Sequence, residues 1–263
     1  MSACEFRVVA RNTARSSENR IHEDTVARQY GFRRGLVPGV TTIAYLMEAG
    51  WQAFNEEFLA RGVGSVRLVR PVYDGDLVTV RTERLADGRL DARAFGPANE
   101  TVAEGWLGLS DAPPPSPAEF PEAPLPSAEE RPLASAAAFR ARPMLGVLRA
   151  RFDADEAWRY LAEVGLAPSG AGLRHPGLFI RYANWVLSSN VRLGPWVHVS
   201  SDFWVFGAPA PGATFETRAK VLDVFERKGH HFVQLDVLLV EGGRPLLRVG
   251  HTAIYELRPP SQG

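Results

Sequence analysis

The chain has 263 residues, of which 45% are hydrophobic and 23% charged. This length fits one large domain or two small ones, and the apolar content excludes a mostly disordered chain. The 30 basic and 30 acidic residues give a formal net charge of zero, so no bulk charge attracts nucleic acid or an anionic membrane. We expect neither as a partner.

The cysteine content and hydropathy indicate a cytoplasmic, soluble protein. Cys4 is the single cysteine and cannot form an intrachain disulfide, which fits a reducing compartment. The N-terminal sequence lacks the apolar stretch of a secretory signal, and no segment approaches the roughly 18 apolar residues of a membrane span.

The first half of the chain predicts a strand at 5–11, a short amphipathic helix at 22–32 and a long apolar helix that begins at Pro38-Gly39. A strand, a turn at Gly75 and a second strand follow, and two more strand-like runs end this half.

Residues 111–134 form the sharpest break in composition, DAPPPSPAEFPEAPLPSAEERPLA. Dense proline removes backbone donors and favours extended chain, so this segment is predicted to be a linker. It divides the chain into an N-terminal unit, 1–110, and a C-terminal unit, 135–263.

The C-terminal unit repeats the order of the first. A strand at 144–152 and a short helix at 153–166 precede an apolar helix entered at Pro176-Gly177, and four strand-like runs follow. A long apolar helix buries most of its surface only if a curved antiparallel sheet wraps it. We therefore predict an α+β fold of two hotdog units, a double hotdog, with sheets that pair edge to edge.

Most of the interpretable chemistry lies between residues 15 and 40. His22 falls in the first turn of the short helix, where Asn19 is a good N-cap. Gly39 opens the long helix, whose free N–H groups can polarise a carbonyl and stabilise an enolate. A base beside such a helix end suits proton transfer α to a carbonyl. Structural roles stay open: a surface histidine, a simple N-cap, and Pro38-Gly39 as helix-entry geometry.

This segment resembles the MaoC-like or (R)-specific enoyl-CoA hydratases, which include fatty-acid dehydratases. The match covers roughly residues 15–85 and includes the Asn-x-Ile-His run at 19–22, Asp24, Pro38-Gly39 and the later RPVYDGDLVTVRTERL. The resemblance implies a lyase, a hydratase or dehydratase of 3-hydroxyacyl thioesters in fatty-acid or polyketide metabolism, with His22 as general acid/base and the Gly39 N–H at the carbonyl. Its substrates would be carried by coenzyme A or an acyl carrier protein, and a homodimer of double hotdogs is one assembly it allows.

The chain departs from the family's pattern at three positions. The family's catalytic acidic residue, five before the histidine, is Ser17; the proline after Asn19 is Arg20; and the histidine before the glycine is Pro38. His22 therefore lacks its customary carboxylate.

Three carboxylates are candidates to replace it. Asp24 lies two residues after His22 on the predicted helix and points elsewhere. Glu18 is the better candidate, and Asp202 of the second half is another.

Arg33 and Arg34, just ahead of the long helix, are candidates to bind the phosphates of the carrier, or else form a solvated turn. Val40, beside Gly39, is a further candidate to contact substrate. We find no metal-ligand spacing and no nucleotide-binding motif, so no cofactor or metal is expected. The second half has no histidine in its short helix, so we expect it to line the channel that holds the acyl chain.

Because the usual carboxylate is missing, two other functions stay open. One is different thioester chemistry, such as hydrolysis, or a specialised elimination or cyclisation. The other is a non-catalytic partner subunit of an active hotdog protein.

Overall fold

A computed structural model describes residues 4–167 and 169–258. The first half contains three helices and five strands: β1 (Cys4–Val9), α1 (Asp24–Gln29), α2 (Gly39–Phe54), α3 (Glu56–Arg61), β2 (Gly62–Leu68), β3 (Leu77–Arg84), β4 (Leu90–Phe95) and β5 (Thr101–Leu109). The second half repeats this inventory: α4 (Ala136–Ala141), β6 (Met144–Arg151), α5 (Ala154–Glu163), α6 (Arg181–Asn190), β7 (Val197–Val205), β8 (Thr214–Arg227), β9 (His230–Glu241) and β10 (Arg244–Glu256).

All ten strands form one antiparallel sheet in the order β1-β3-β4-β5-β2-β7-β10-β9-β8-β6. The two halves meet where β2 pairs with β7, from Val63 opposite Trp204 to Arg67 opposite Ser200. Each half thus contributes five adjacent strands, and the predicted edge-to-edge pairing is confirmed.

Helix α2 is the centre of the core. Every residue from Val40 to Gly50 is buried, because the strands of the first half curve around it and the second half covers it from the other side. Gly177 lies against it so closely that a side-chain carbon there would come within 2.5 Å of the Ala44 Cβ. The glycine therefore allows the two halves to approach each other.

The helix predicted at Pro176-Gly177 begins later than expected. Residues Pro176–Leu178 form a 3-10 turn, in which the His175 side chain accepts a hydrogen bond from the Gly177 N–H, and α6 starts at Arg181. This side-chain bond holds the chain in the tighter turn, so the Pro-Gly pair does not have the same local structure in the two halves.

The proline-rich segment 111–134 packs on the second half. Phe120 is fully buried against Leu238 and Val240, which lie on the face of β9 opposite to α6 and the main core. Arg218 donates to the carbonyl oxygen of Phe120 at 3.3 Å, which fixes the segment to β8. No helix within the described residues combines the length and the apolar character needed to cross a membrane.

Candidate active site

His22 ends a 3-10 turn, Arg20–His22, that precedes α1. Asn19 caps this turn, because its Oδ1 accepts a hydrogen bond from the Ile21 N–H at 3.3 Å. Asn12 donates to the carbonyl oxygen of His22 at 2.9 Å, so the backbone at His22 is held from both sides. The histidine is buried, with 9% of its surface exposed.

The ring of His22 has a defined orientation. Its Nδ1 lies 2.7 Å from the carbonyl oxygen of Leu36, and a carbonyl oxygen only accepts, so Nδ1 carries the proton of the neutral ring. Burial lowers the pKa of His22, against the opposing effect of the Leu36 carbonyl. The ring is therefore neutral at pH 7, with a lone pair on Nε2, and can act as a base.

Asn19 links this ring to the second half of the chain. Its Nδ2 lies 3.4 Å from His22 Nε2 and donates to the carbonyl oxygen of Trp196 at 3.0 Å. Its Oδ1 accepts from the Trp196 N–H at 3.2 Å. The amide is therefore fully used, and Asn19 positions His22 against the chain that leads into β7.

The N-terminus of α2 has no cap. Pro38 occupies the N-cap position and offers no side-chain acceptor. Among the described residues, the backbone N–H groups of Gly39 and Val40 have no acceptor. Two N–H donors at the positive end of a sixteen-residue helix remain available for an oxygen that develops negative charge.

Two cavities meet at His22. The apolar chamber, of about 230 Å³, is lined mainly by hydrocarbon side chains, among them Ile21, Phe32, Leu36, Val37, Leu68, Val72, Val197, Val199 and Ile254. The polar cleft, of about 500 Å³, contains Ser16, Ser17, Glu18, Thr41, Glu156, Arg159, Glu163, Arg181 and Ser188. Both cavities share Asn19, His22, Asn184 and Trp196.

The structure brings most of the predicted site residues together. Gly39 lines the apolar chamber, whereas Ser17, Glu18 and Val40 line the polar cleft. Asn19 and His22 line both cavities, and we call the place that both cavities share the junction.

None of the three candidate carboxylates contacts the imidazole. Glu18 accepts hydrogen bonds from Arg131 at 2.8 and 3.1 Å, and Asp24 accepts from the Gly35 N–H at 2.9 Å. Asp202 lies on β7 with an exposed side chain and lines neither cavity. In this structure neither Glu18 nor Asp202 takes the place of the missing partner of His22.

The two predicted phosphate-binding arginines are held elsewhere. Arg33 and Arg34 both pair with Asp76, at 3.3 and 3.1 Å, and their guanidinium carbons lie 4.5 and 5.6 Å from the centre of the Tyr73 ring. Neither lines the chamber or the cleft. The structure does not bring them to the site.

No family model and no curated protein matches this sequence, but solved structures match it over nearly its whole length. A protein described as a MaoC-domain dehydratase from Chloroflexus aurantiacus aligns with a TM-score of 0.61 at 12% identity, over 98% of this chain and 95% of that one. A conserved Mycobacterium tuberculosis protein with a double hotdog fold aligns with a TM-score of 0.59 at 15% identity, over 97% and 96%. This chain is a double hotdog.

The fold alone does not select a reaction. A Lactobacillus plantarum protein described as an oleoyl thioesterase also aligns with this chain, with a TM-score of 0.52 at 11% identity over 97% of both chains. The chemistry therefore has to be argued from the site.

In this double hotdog the second half supplies part of the site, through residues that the sequence analysis did not identify. Trp196, His198 and Asn184 all line the apolar chamber. His198 reaches it because β7 contains a bulge opposite Thr252 and Ala253, which breaks the alternation of side chains along the strand. Bulges leave no clear signal in a sequence, and the pairing of β2 with β7 joins residues far apart in the chain.

His198 itself is deeply buried beside a second histidine. Its Nε2 lies 3.1 Å from the carbonyl oxygen of Ser200 and 2.9 Å from Ser201 Oγ, and its ring centre is 4.4 Å from that of His251. Burial lowers the pKa of His198 to about 4, so the ring is neutral. Within 4–167 and 169–258, no group of three or more His, Cys, Asp or Glu residues is arranged to hold a metal ion.

Proposed function

We propose that this double hotdog protein binds acyl thioesters and interconverts 2-enoyl and 3-hydroxyacyl thioesters, with His22 as the general acid/base. The observation that carries the proposal is the position of the neutral His22 ring. It lies at the junction of an apolar and a polar cavity, in the same site as the uncapped N-terminus of α2.

The linings of the two cavities suggest how such a substrate would bind. The hydrocarbon chain would enter the apolar chamber, where it loses contact with water, and the carrier arm would lie along the polar cleft. The reacting carbons would then lie between them, beside His22. The thioester oxygen would accept hydrogen bonds from the N–H groups of Gly39 and Val40.

One proton carrier, His22, is sufficient for the proposed reaction in both directions. In hydration, Nε2 of His22 takes a proton from water while the water oxygen bonds to C3. The electron pair of the C2=C3 double bond forms the C1=C2 bond of an enolate, and the carbonyl electron pair moves to the thioester oxygen. The carbonyl group re-forms when the α-carbon takes the proton back from His22. In dehydration, His22 removes the α-proton and delivers it to the departing C3 hydroxyl group.

Arg181 and Arg159 are our candidates to bind the carrier's phosphates, in place of Arg33 and Arg34. Both line the polar cleft. The Arg181 guanidinium lies 3.8 Å above the centre of the Tyr160 ring and 4.8 Å from that of Trp185. The two rings hold it at the cleft wall, where a planar guanidinium suits a phosphate.

The direct test is hydration of short and medium 2-enoyl-CoA thioesters by the purified chain. The reaction is monitored by the loss of absorbance of the conjugated thioester. We expect His22→Ala to lower kcat/KM by at least roughly 100-fold, the usual contribution of a general acid/base. His230→Ala is the matched control, since His230 lies on β9 and lines neither cavity. Equal rates for wild type and His22→Ala would remove His22 from the mechanism.

Thioester hydrolysis is the second candidate, favoured by one observation. Within the described residues no carboxylate contacts His22, so the usual second acid/base group for hydration is missing. The same thioesters assayed for free thiol would separate the reactions, because hydrolysis releases thiol and hydration does not. If the isolated chain performs neither, copurification with a homologous chain that carries the family's aspartate would support a role as partner subunit.

A further inference from the structure

Asn184 is the one residue of α6 that lines both cavities. It lines the apolar chamber and the polar cleft together with Asn19, His22 and Trp196. Its helix belongs to the second half, and its neighbours Ala183 and Val186 are buried in the core. The side chain therefore projects from a fixed helix into the place where the proposed chemistry occurs.

The side-chain oxygen of Asn184 makes no hydrogen bond that would give the residue a structural role. Asn184 Oδ1 is buried and has no hydrogen-bond partner among the described residues. A buried amide oxygen without a partner lowers stability, and such groups are rare unless water or a ligand satisfies them.

Two other asparagines show the contrast. Six positions further along the same helix, Asn190 donates to the carbonyl oxygens of Gly146 and Val186 at 3.0 and 2.8 Å and accepts from the Gly146 N–H at 2.6 Å. Asn19 also has both amide atoms bonded. Asn190 and Asn19 hold the fold, whereas Asn184 has no comparable structural role.

We propose that Asn184 is a substrate-binding residue that accepts a hydrogen bond from the C3 hydroxyl group of a 3-hydroxyacyl thioester, an inference that rests on the proposed function. The uncapped N–H groups of α2 are donors and suit the carbonyl oxygen of the thioester. The unpaired oxygen of Asn184 is an acceptor and suits a hydroxyl hydrogen. The oxygen is buried in the structure, so a rotation about χ2 must turn it toward the junction, and no hydrogen bond of this oxygen opposes that rotation.

This arrangement assigns the two halves different tasks. The first half supplies the base, His22, and the helix end that binds the carbonyl group. The second half supplies the group that recognises the hydroxyl. A saturated acyl thioester of the same length would use the chamber and the helix end and make no bond to Asn184.

The test is a binding experiment in which every protein also carries His22→Ala, so that the hydroxyacyl thioester is not turned over during the titration. Titration calorimetry would compare 3-hydroxyhexanoyl-CoA with hexanoyl-CoA on this His22→Ala parent and on its Asn184→Leu variant, which replaces the amide with an apolar group of similar size. We expect Asn184→Leu to weaken binding of the hydroxyacyl thioester at least tenfold and to leave that of the saturated thioester within twofold. Its melting temperature should equal or exceed that of the parent, because an unpaired buried polar group has been removed.

Asn190→Leu is the control on the same helix, and it should melt at a lower temperature because three hydrogen bonds are lost. Asn184→Ala provides a second test should the leucine disturb packing, with the same selective loss expected. Equal affinities of the parent and Asn184→Leu for both thioesters, equal weakening of both, or a fall in melting temperature like that of Asn190→Leu would each overturn the proposal. A parent protein that binds neither thioester would instead overturn the proposed function and this inference with it.

Discussion

The carbonyl oxygen of Leu36 lies 2.7 Å from Nδ1 of His22, and this contact decides which ring nitrogen is available for chemistry. Since Nδ1 is the donor, the lone pair of the neutral ring is on Nε2, 3.4 Å from Asn19 Nδ2. Burial lowers the pKa of the ring. A reaction that needs neutral His22 should therefore lose activity only when the pH falls below the ordinary histidine value of about 6.5.

Ser17→Asp should shift that acid limb to higher pH. Ser17 lines the polar cleft together with His22, so a carboxylate there would favour the protonated ring and raise the pKa of His22. We expect the midpoint of the kcat/KM profile to move to higher pH, because the added carboxylate stabilises the protonated ring. Hydration rates measured from pH 4 to pH 9 would test this.

Ser16→Asp is the matched control, because it adds the same charge one residue earlier in the chain, further from His22 in sequence. It should produce a smaller shift. Identical profiles for wild type and Ser17→Asp would mean that position 17 does not face the ring.

Glu18→Gln should have little effect on turnover. The Glu18 carboxylate is bound by Arg131 at 2.8 and 3.1 Å, and the hydrogen bonds of that arginine hold its pKa below the ordinary range. We expect kcat/KM within about threefold of wild type, and a loss of unfolding free energy of at most about 1 kcal/mol, because the carboxylate is largely exposed. A loss near 100-fold, like that expected for His22→Ala, would instead return Glu18 to the mechanism.

The order of elements and the double hotdog could be predicted because hydrophobic periodicity is a local property. The apolar spacing in α2 and the alternation in the strands depend on neighbouring residues, and the repeated order of the halves then restricts the fold. The proximity of Asn19, His22 and Gly39 could also be predicted, since these residues are close in sequence.

What remained hidden depends on contacts between distant residues. The pairing of β2 with β7 brings Trp196, His198 and Asn184 to His22. A contact of this kind also explains why Arg33 and Arg34, predicted to bind phosphate, do not lie at the site. Asp76, more than forty positions away, binds both guanidinium groups.

Gly39→Ala should damage both stability and activity. A Cβ at this position would overlap Leu68 Cδ1, the end of a partly buried side chain that can rotate away, and would come within 3.1 Å of His198 Cβ, so His198 or the start of α2 must shift by a small amount. We expect a loss of unfolding free energy of about 1 kcal/mol, at the low end for an overpacked core, together with a lower kcat. Gly194→Ala is the control, because a Cβ there would meet no atom within 4 Å. Urea unfolding and hydration assays on both variants would contradict the prediction if Gly39→Ala matched wild type.

A buried carboxylate that lines neither cavity should govern stability in acid. Glu48 of α2 lies 3.3 Å from His175 Nε2, and its Oε1 accepts from Gln52 at 2.9 Å. Burial acts to raise the pKa of Glu48, but polar contacts with His175, Ser169 and Gln52 bring it below the ordinary value. The ionised carboxylate therefore stabilises the fold above the unfolded-state pKa of about 4.3, and this contribution is lost as the pH falls through the lower folded-state value.

Glu48→Gln should remove this part of the pH dependence. The variant should be less stable than wild type near pH 7, and the difference in melting temperature should shrink as the pH falls below about 4. Calorimetric melting from pH 3 to pH 7 would measure it. Glu226→Gln makes the same change of charge at an exposed position and should leave the wild-type curve nearly unchanged. If the Glu48→Gln and wild-type curves stay parallel across the range, the carboxylate of Glu48 is not the group that responds to acid.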